Sequence, residues 1–435
     1  MSKLAIKGGK PVRTELFPSY NVIGEEEIAA VTEVMRSGIL SRYLGTWHKD
    51  FFGGPRVQEF EANWSALFDC KHSVTMNSAT SGLYAACSAA GFGPGDEVIV
   101  SPYTMSASAM APVVCGANPV FADVDPETYC ISAETIEERL TERTKGIIVV
   151  HIFGGAADME PIMKLAKSRG LIVIEDCAQS PLGEYKGKKL GNIGDIGVFS
   201  LNYHKHIHTG EGAVVVTGSD YLADRLRLIR NHAEAVVDAK SKDQGVEYNG
   251  DLVGFNYRLG EIEAAIGNSL INSLEGLLAS RIENVRYLES KLAGCDALSF
   301  PKLESGNRHC YYVHPITYNK DVSGVHRNDF VDAVRAELAP CRLREAEGVL
   351  CSRGYVRPLY MQSFYQKRVH SVFQNASEMA LRSYEPGSAS NCEKAFNDTL
   401  IIHELMRPGF SKNDLDDVAA AFEKVLENVD DLRGK

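Results

Sequence analysis

From about Val22 to Gly218 the chain alternates short apolar runs rich in β-branched residues with segments of helix length. Five of these runs have the length of a strand: Glu97 to Ser101, Gly146 to His151, Leu171 to Glu175, Ile196 to Leu201 and Ala213 to Thr217. Nearly continuous apolar runs, most of them separated by helices, are typical of a mostly parallel sheet that is buried on both faces. The alternation therefore predicts an α/β fold.

Helical periodicity predicts the segments that cover this sheet. They are Glu25 to Ser37, Val57 to Phe68, Ser78 to Ala90, Ile136 to Thr144 and Met159 to Ser168. One long helical pattern, Leu259 to Leu292, follows the apolar runs and indicates a connection to a second unit.

The composition changes after this connection. We expect a strand near Tyr311 to Thr317 and helices at Arg327 to Leu338 and Lys412 to Leu426. The predicted organisation is an N-terminal arm and large domain in residues 1–270, followed by a linking helix and a smaller α+β domain in residues 271–435.

Charge and cysteine content exclude several classes of protein. The 435 residues include 46 Lys and Arg against 57 Asp and Glu, a net charge of −11 that offers no general attraction to nucleic acid. No apolar stretch reaches membrane-spanning length. The ten cysteines are scattered without zinc spacing, so we expect reduced thiols, no metal site and a cytoplasmic protein. The first thirteen residues lack the apolar centre of a secretory signal.

The stretch Phe199 to Thr217 carries the strongest chemical signal. An apolar strand ends in a turn that bears Lys205, and Gly210 to Gly212 lead into the next apolar strand. A lysine walled in by apolar groups has a lowered pKa and becomes a nucleophile toward carbonyls. A solvated surface lysine is the alternative for any single lysine.

Asp176 follows the apolar residues Leu171 to Ile174, and ligands of open α/β sheets bind at the carboxyl ends of strands. A turn or cap residue is the simpler interpretation of a lone aspartate there. A lysine and a carboxylate on strand ends of one sheet together suit pyridoxal 5′-phosphate (PLP), which needs a covalent lysine and a partner for its pyridine nitrogen.

A third element is a candidate phosphate site. Within Asn77 to Cys87, the small residues Ser78, Ala79, Thr80 and Ser81 open a predicted helix. Free amides at the positive end of a helix dipole bind anions. A capped helix start without a ligand is the alternative.

Taken in order, these segments resemble the DegT/DnrJ/StrS family of PLP-dependent sugar aminotransferases, which have the fold type I (aspartate aminotransferase-like) architecture. The resemblance covers residues Gly8 to Ala265 clearly and the rest loosely. It is carried by GGKPVR, SGILSRYLG, GPRVQEFE, HIFGGAADM, EDCAQS, the block around Lys205 and GFNYRLGEIEAAIG.

The resemblance implies a role for each matching residue. Lys205 matches the lysine that bonds to the cofactor, Asp176 the partner of the pyridine nitrogen and Gln179 a residue near the ring oxygen. Three residues match the phosphate site: Ala79, Thr80 and Ser200. Asn256 matches an asparagine that reaches the phosphate of a neighbouring subunit, which implies a homodimer with shared active sites.

Two departures from the family pattern stand out. Met105 occupies the position of an aromatic ring that stacks on the cofactor, and a thioether can pack on a ring face in its place. A dehydratase branch has histidine in place of the lysine, and here His204 and His206 flank Lys205. The spacing to Gly210 puts Lys205 at the key position and therefore favours amino transfer.

We accordingly expect glutamate or glutamine to donate an amino group to a keto sugar, most often nucleotide-linked in this family. The product would serve deoxyamino sugar, surface polysaccharide or natural-product biosynthesis. A cyclitol ketone, or sugar dehydration, is the alternative. Six residues are candidates for substrate contact: Arg42, Tyr43, His232, Arg308, His309 and Tyr312. The sequence argues against a DNA-binding regulator, because no basic module is present, and against a nicotinamide enzyme, because no Gly-x-Gly-x-x-Gly follows the first strand.

Overall fold

The computed structural model describes residues 3–248 and 250–433. Its strands in chain order are β1 (His72–Met76), β2 (Glu97–Val100), β3 (Asn118–Phe121), β4 (Thr144–Val150), β5 (Ile172–Asp176), β6 (Glu184–Tyr185), β7 (Lys188–Lys189), β8 (Ile196–Ser200), β9 (Ala213–Thr217), β10 (Leu298–Ser299), β11 (His314–Tyr318), β12 (Cys351–Arg353) and β13 (Leu400–His403). All five strands predicted for the large sheet are present within a few residues of their predicted bounds.

Seven strands form one mixed sheet in the order β1-β9-β8-β5-β4-β2-β3. Strand β9 runs antiparallel to both neighbours, and the other pairs are parallel. The predicted α/β class and mostly parallel sheet are therefore confirmed. Because β4, β5 and β8 run in the same direction, their carboxyl ends meet at one edge of the sheet.

The helices are α1 (Glu25–Ser37), α2 (Pro55–Phe68), α3 (Ala79–Ala89), α4 (Ser106–Val114), α5 (Ala133–Glu137), α6 (Met159–Arg169), α7 (Asp220–Arg230), α8 (Ala233–Gln244), α9 (Glu261–Leu270), α10 (Leu274–Leu292), α11 (Lys320–Ser323), α12 (Arg327–Glu337), α13 (Ser363–Lys367), α14 (Glu378–Ser383), α15 (Ser390–Lys394) and α16 (Lys412–Glu427). Helix α5 is shorter than predicted, and Thr144 belongs to β4 instead. The backbone N–H of Thr144 donates to the carbonyl of Thr141 at 3.2 Å, and this turn starts the strand.

The predicted long helix Leu259 to Leu292 is wrong as one element. It consists of α9 and α10, which are joined by a 3₁₀ turn at Ile271–Ser273. Within that turn the Ser273 hydroxyl donates to the Leu270 carbonyl at 2.8 Å. The backbone tightens locally to 3₁₀ geometry at this turn, and hydrophobic periodicity does not encode such a break.

Two hydrophobic cores are present. The larger surrounds the seven-stranded sheet, and the smaller packs α10, α12 and α16 against the antiparallel sheet β10-β11-β13-β12. Side chains from 359–395 join the larger core: Tyr384 donates to the Pro119 carbonyl at 2.7 Å, and Ser383 accepts from the Phe121 backbone at 3.1 Å. The domain boundary near residue 270 stays a prediction. Among the described residues, no helix combines the length and apolarity that a membrane span requires.

Candidate active site

Lys205 and Asp176 meet at the edge where β5 and β8 end. Asp176 is the last residue of β5, and Lys205 lies in the turn that follows β8. That turn is fixed by its own backbone: the Lys205 N–H donates to the Asn202 carbonyl at 2.9 Å, and the Thr209 N–H donates to the Leu201 carbonyl at 3.0 Å. The backbone around Lys205 is therefore held in place by hydrogen bonds within the turn.

The Lys205 ammonium lies over the ring of Tyr312, with Nζ at 4.2 Å from the ring centroid. Burial lowers the pKa of Lys205 from 10.5 to about 8, and the negative charge of Asp176 opposes the shift. A lysine in this condition has an appreciable neutral fraction near pH 7, which is what nucleophilic attack and proton transfer require.

Asp176 is buried and hydrogen-bonded. Its Oδ2 accepts from the Ser108 hydroxyl at 2.7 Å, and its Oδ1 accepts from the Ala178 backbone N–H at 3.1 Å. Burial raises the pKa of Asp176, while these hydrogen bonds and the charge of Lys205 act in the opposite direction. A cationic partner at this carboxylate would therefore relieve the cost of burying its charge.

Gln179 is held rigidly beside this pair. Its Oε1 accepts from the Phe153 backbone N–H at 2.7 Å, and its Nε2 donates to the Tyr355 hydroxyl at 3.0 Å. Ser200, at the end of β8, accepts at Oγ from the Asn202 N–H at 3.3 Å. Both side chains thus lie at the sheet edge that also carries Asp176 and Lys205.

The start of α3 has the features of an anion site. Ser78 caps the helix by accepting from the Ser81 N–H at 3.1 Å, while Ala79 and Thr80 occupy the first two helical positions, whose amides have no helical acceptor. Gly82 allows α3 to lie close to the sheet, since an added Cβ would come within 3.0 Å of Val198 and Val215.

Met105 and Asn256 are surface residues. Met105 is 54% exposed and immediately precedes α4, the helix that carries Ser108. Asn256 is exposed, and its Oδ1 accepts from Arg258 Nε at 2.7 Å. The backbone of the same loop reaches α3, because the Asn77 N–H donates to the Tyr257 carbonyl at 2.8 Å.

Only Tyr312 among the six substrate candidates contacts Lys205 in the described part of the chain. Tyr43 is buried, with the Arg230 guanidinium 4.9 Å from its ring centroid, and Arg42 lies 3.7 Å from Asp50. His232 adopts a left-handed backbone, and its Nε2 is 3.5 Å from Arg258.

The other two candidates line a separate cavity. Arg308 pairs with Glu275 at 2.5 Å. His309 is buried and accepts at Nδ1 from the Tyr311 N–H at 2.8 Å. Burial lowers the pKa of His309 to about 3, so this imidazole stays neutral.

Three arginines near Lys205 were missed by the sequence interpretation. Arg281 and Arg407 each place a guanidinium 5.4 Å from the ring centroid of Tyr20, whose hydroxyl donates to the His206 carbonyl next to Lys205. Burial and the charges of Arg281 and Arg344 lower the pKa of Arg407 to about 9. These residues come from distant parts of the sequence, and no local motif announces them.

This arginine cluster (Arg281, Arg344 and Arg407) has unused hydrogen-bonding capacity. Glu404 accepts from both Arg344, at 2.9 Å, and Arg407. Nevertheless Nε of Arg407, and Nε and Nη2 of Arg281, are buried without a partner among the described residues. Buried donors without acceptors are costly, so the cluster favours an anion close to Lys205.

A second buried group lies behind Asp176. His151, Glu175 and Cys177 each offer a potential ligand atom within 4.8 Å of the others. Glu175, however, accepts from His151 Nε2 at 2.9 Å and from the backbone N–H groups of Gly191 and Gly194 at 2.9 and 2.6 Å. Burial would raise the pKa of Glu175, but these hydrogen bonds outweigh it and lower the pKa. The group therefore acts as a structural anchor for β5.

Comparison with known proteins is consistent with this geometry. The family model described as the DegT/DnrJ/EryC1/StrS aminotransferase family matches residues 21–422. GDP-perosamine synthase of Caulobacter vibrioides is 37% identical over 271 residues, which cover 62% of this chain and 71% of that protein. The L-glutamine:2-deoxy-scyllo-inosose aminotransferase of Streptomyces fradiae is 30% identical over 442 residues, 99% of each chain.

Solved structures show the same fold. The X-ray structure of the aminotransferase from Psychrobacter cryohalolentis has a TM-score of 0.79 and 27% identity, and covers 95% of this chain and all of that one. The fold type I architecture expected from the sequence is therefore confirmed.

Proposed function

Because the chain belongs to the DegT/DnrJ/EryC1/StrS aminotransferase family and is a transaminase, we propose that it moves an amino group from glutamate or glutamine to a keto sugar, using PLP. The observation that carries the proposal is the pairing of Lys205, with its pKa lowered to about 8, and the buried Asp176 at one sheet edge. A lone lysine or a lone aspartate would not support it.

The residues present suit PLP. When bound, the cofactor supplies an aldehyde for covalent attachment and a protonated ring that accepts electrons. Asp176 would hold the ring nitrogen, and Gln179 would lie at the ring oxygen. The phosphate would be held by the free amides at the start of α3, at Ala79 and Thr80, together with Ser200.

Lys205 has two tasks in this proposal. It would hold the cofactor covalently, and as the free amine it would accept a proton at Nζ and return it. Tyr312 supplies the ring face on which the ammonium rests. Because burial favours the neutral amine, Lys205 is able to accept a proton near pH 7. We also infer that Met105 packs on the exposed face of the cofactor ring.

The arginine cluster gives the donor a binding partner. Arg281 and Arg407 lie near Tyr312 and have buried N–H groups that find no acceptor in the described part of the chain. A carboxylate accepts bidentate hydrogen bonds from a guanidinium. We therefore assign the cluster to a carboxylate of the amino-acid donor.

The acceptor is proposed from the relatives. GDP-perosamine synthase supports a nucleotide-linked keto sugar, while the inosose aminotransferase supports a cyclitol ketone as the second candidate. The product would enter deoxyamino sugar, surface polysaccharide or natural-product biosynthesis. Lys205 lies on the Tyr312 ring and interacts with the charge of Asp176, whereas the nearby His206 is engaged at Nε2 with the Cys310 carbonyl at 2.9 Å; this supports amino transfer over sugar dehydration.

We further propose a homodimer with shared active sites in the cytoplasm. Asn256 is exposed and would reach the cofactor phosphate of the other subunit. Several apolar side chains of α1 and the segment after it are exposed and could be covered by a partner: Ile28, Met35, Ile39, Leu40 and Leu44. The segments that carry Arg42, Tyr43 and His232 are connected to that of Asn256, since the His232 N–H donates to the Phe255 carbonyl and Asn231 Nδ2 donates to the Leu44 carbonyl.

The test is a half-reaction with the PLP-loaded protein. We expect addition of L-glutamate or L-glutamine to release the corresponding 2-oxo acid in an amount equal to the cofactor present. Lys205→Ala should abolish this release, while Lys164→Ala, at an exposed position of α6, should not. Release at the wild-type rate by Lys205→Ala would refute the mechanism. Mass spectrometry of keto sugars incubated with the donor then identifies the acceptor.

A further inference from the structure

A cavity of about 500 Å³ lies between the loop that follows β4 and the segment that joins β10 to β11. Its lining includes Phe153, Gly155, Leu303 and His309. None of the groups assigned to the cofactor lines this cavity. It has the size of a small-ligand site, and its lining comes from loops of the large sheet and from residues next to the smaller sheet.

His309 presents an unused donor to this cavity. The side chain is only 5% exposed and stacks on the Tyr311 ring at 4.1 Å. Because Nδ1 accepts from the Tyr311 N–H, the proton of the neutral imidazole is on Nε2. Nε2 approaches Gly155, where an added Cβ would lie 3.0 Å away, and the hydrogen bond of this side chain to a described residue is made by Nδ1. The cavity lining thus contains an N–H that is available to an oxygen or nitrogen acceptor of a ligand.

The charge around the cavity is negative. Five carboxylates line it: Asp125, Glu127, Glu134, Asp158 and Glu304. Lys302 and Arg308 are the cations of the lining, and Arg308 is already paired with Glu275. An anionic ligand would be repelled by this surface, and a cationic one attracted.

Aromatic rings complete the lining. Tyr129, Phe153 and Tyr185 line the cavity together with Pro301 and Pro315. Such faces pack against the apolar face of a compact ring and also attract cations. The combination of a neutral N–H donor, several carboxylates and aromatic walls matches a compact, hydroxylated amine.

We propose that this cavity is a second ligand site that binds a hydroxylated primary amine of amino-sugar size. The His309 Nε2–H donates to a ligand hydroxyl, and the carboxylate rim holds the ammonium. The proposal does not depend on amino transfer, because it concerns binding alone.

The loop between the two sites couples them. The Phe153 N–H donates to Gln179, and its carbonyl accepts from the Tyr312 N–H at 2.8 Å. Phe153 itself has φ of 60°, a backbone conformation that a bulky side chain adopts only when its surroundings impose it. A ligand that packs on Phe153 therefore contacts a residue whose backbone is hydrogen-bonded to Gln179 and Tyr312, both at the proposed cofactor site. If the proposed function is correct, this ligand is of the same class as the aminated product, and the cavity provides product inhibition.

Binding is measured by calorimetry on the PLP-loaded protein with glucosamine, and with glucose as the matched probe that lacks the amine. We expect glucosamine to bind about tenfold or more tightly than glucose. Leu303→Trp, which fills the cavity from an exposed loop position, should abolish binding. Val369→Trp, which adds the same ring at an exposed site outside the lining, should leave it unchanged.

The charge contribution is tested by Glu127→Gln combined with Glu304→Gln, two exposed rim positions, which should weaken glucosamine binding about three- to tenfold. Equal binding of the two sugars, no binding of glucosamine, or binding that survives in Leu303→Trp would overturn the proposal. Since calorimetry needs no turnover, a protein that binds glucosamine but lacks transaminase activity would refute only the proposed function. A protein that is active but does not bind would refute only the second site.

Discussion

Replacing Lys205 by methionine should stabilise the cofactor-free protein while abolishing its activity. Burial lowers the pKa of Lys205 from 10.5 to about 8, so the folded state disfavours the charged amine. At ~1.36 kcal/mol per pKa unit this difference corresponds to about 3 kcal/mol. Because the side chain keeps part of its surface exposed, we expect Lys205→Met to raise the free energy of unfolding by half of this value, roughly 1.5 kcal/mol.

The pH dependence gives the sign of this effect. Well below pH 8 lysine is protonated in both the folded and the unfolded state, so the full cost of burying the charge applies, and most of this cost remains near pH 7. Between pH 8 and 10.5 the folded state loses its proton first, and the stability of the wild type rises relative to the variant. The advantage of Lys205→Met should therefore be largest near neutral pH and disappear at high pH.

Urea denaturation of the cofactor-free proteins measures this difference. We compare the wild type and Lys205→Met at about pH 7 and about pH 10. Lys164→Met, on the exposed face of α6, serves as the matched control and should show no pH-dependent gain. A Lys205→Met protein that is less stable than the wild type near pH 7, or a gain that does not shrink with pH, would refute the reasoning.

Three further substitutions address the proposed site. Ser108→Ala removes a 2.7 Å hydrogen bond to Asp176 and should weaken PLP binding about 10- to 100-fold in a spectroscopic titration. The control is Ser106→Ala, at an exposed position of the same helix. Arg407→Ala should raise the KM for the donor about 10- to 100-fold in initial-rate assays, with kcat changed less; an unchanged KM would exclude the donor assignment. Asn256→Asp should weaken PLP binding without changing the mass of the proposed dimer in size-exclusion chromatography with light scattering, and tight PLP binding would count against the proposed shared site.

The large sheet could be predicted because its strands are buried on both faces. Such strands consist of nearly continuous apolar residues, so the runs Glu97 to Ser101 and Ala213 to Thr217 can be recognised directly in the sequence. Strands β1 and β3 are also almost entirely buried, but they were missed because neither is a continuous apolar run. The polar residues of HSVTM dilute the apolar signal of β1, and β3 contains Pro119, which is tolerated because β3 is an edge strand.

The site could be predicted only where its residues lie in local motifs. Lys205 and Asp176 stand at the ends of apolar strands, so the rule for strand ends locates them. Ser108 depends on α4, a helix built from SASAMAPVV that contains Pro112 and lacks a clear polar face. The arginine cluster depends on contacts between α10, the segment after α12 and the turn after β13, which no periodicity encodes. Residues proposed to bind the cofactor can therefore be recognised in this sequence, whereas those proposed to select the donor come together only through contacts between distant segments of the chain.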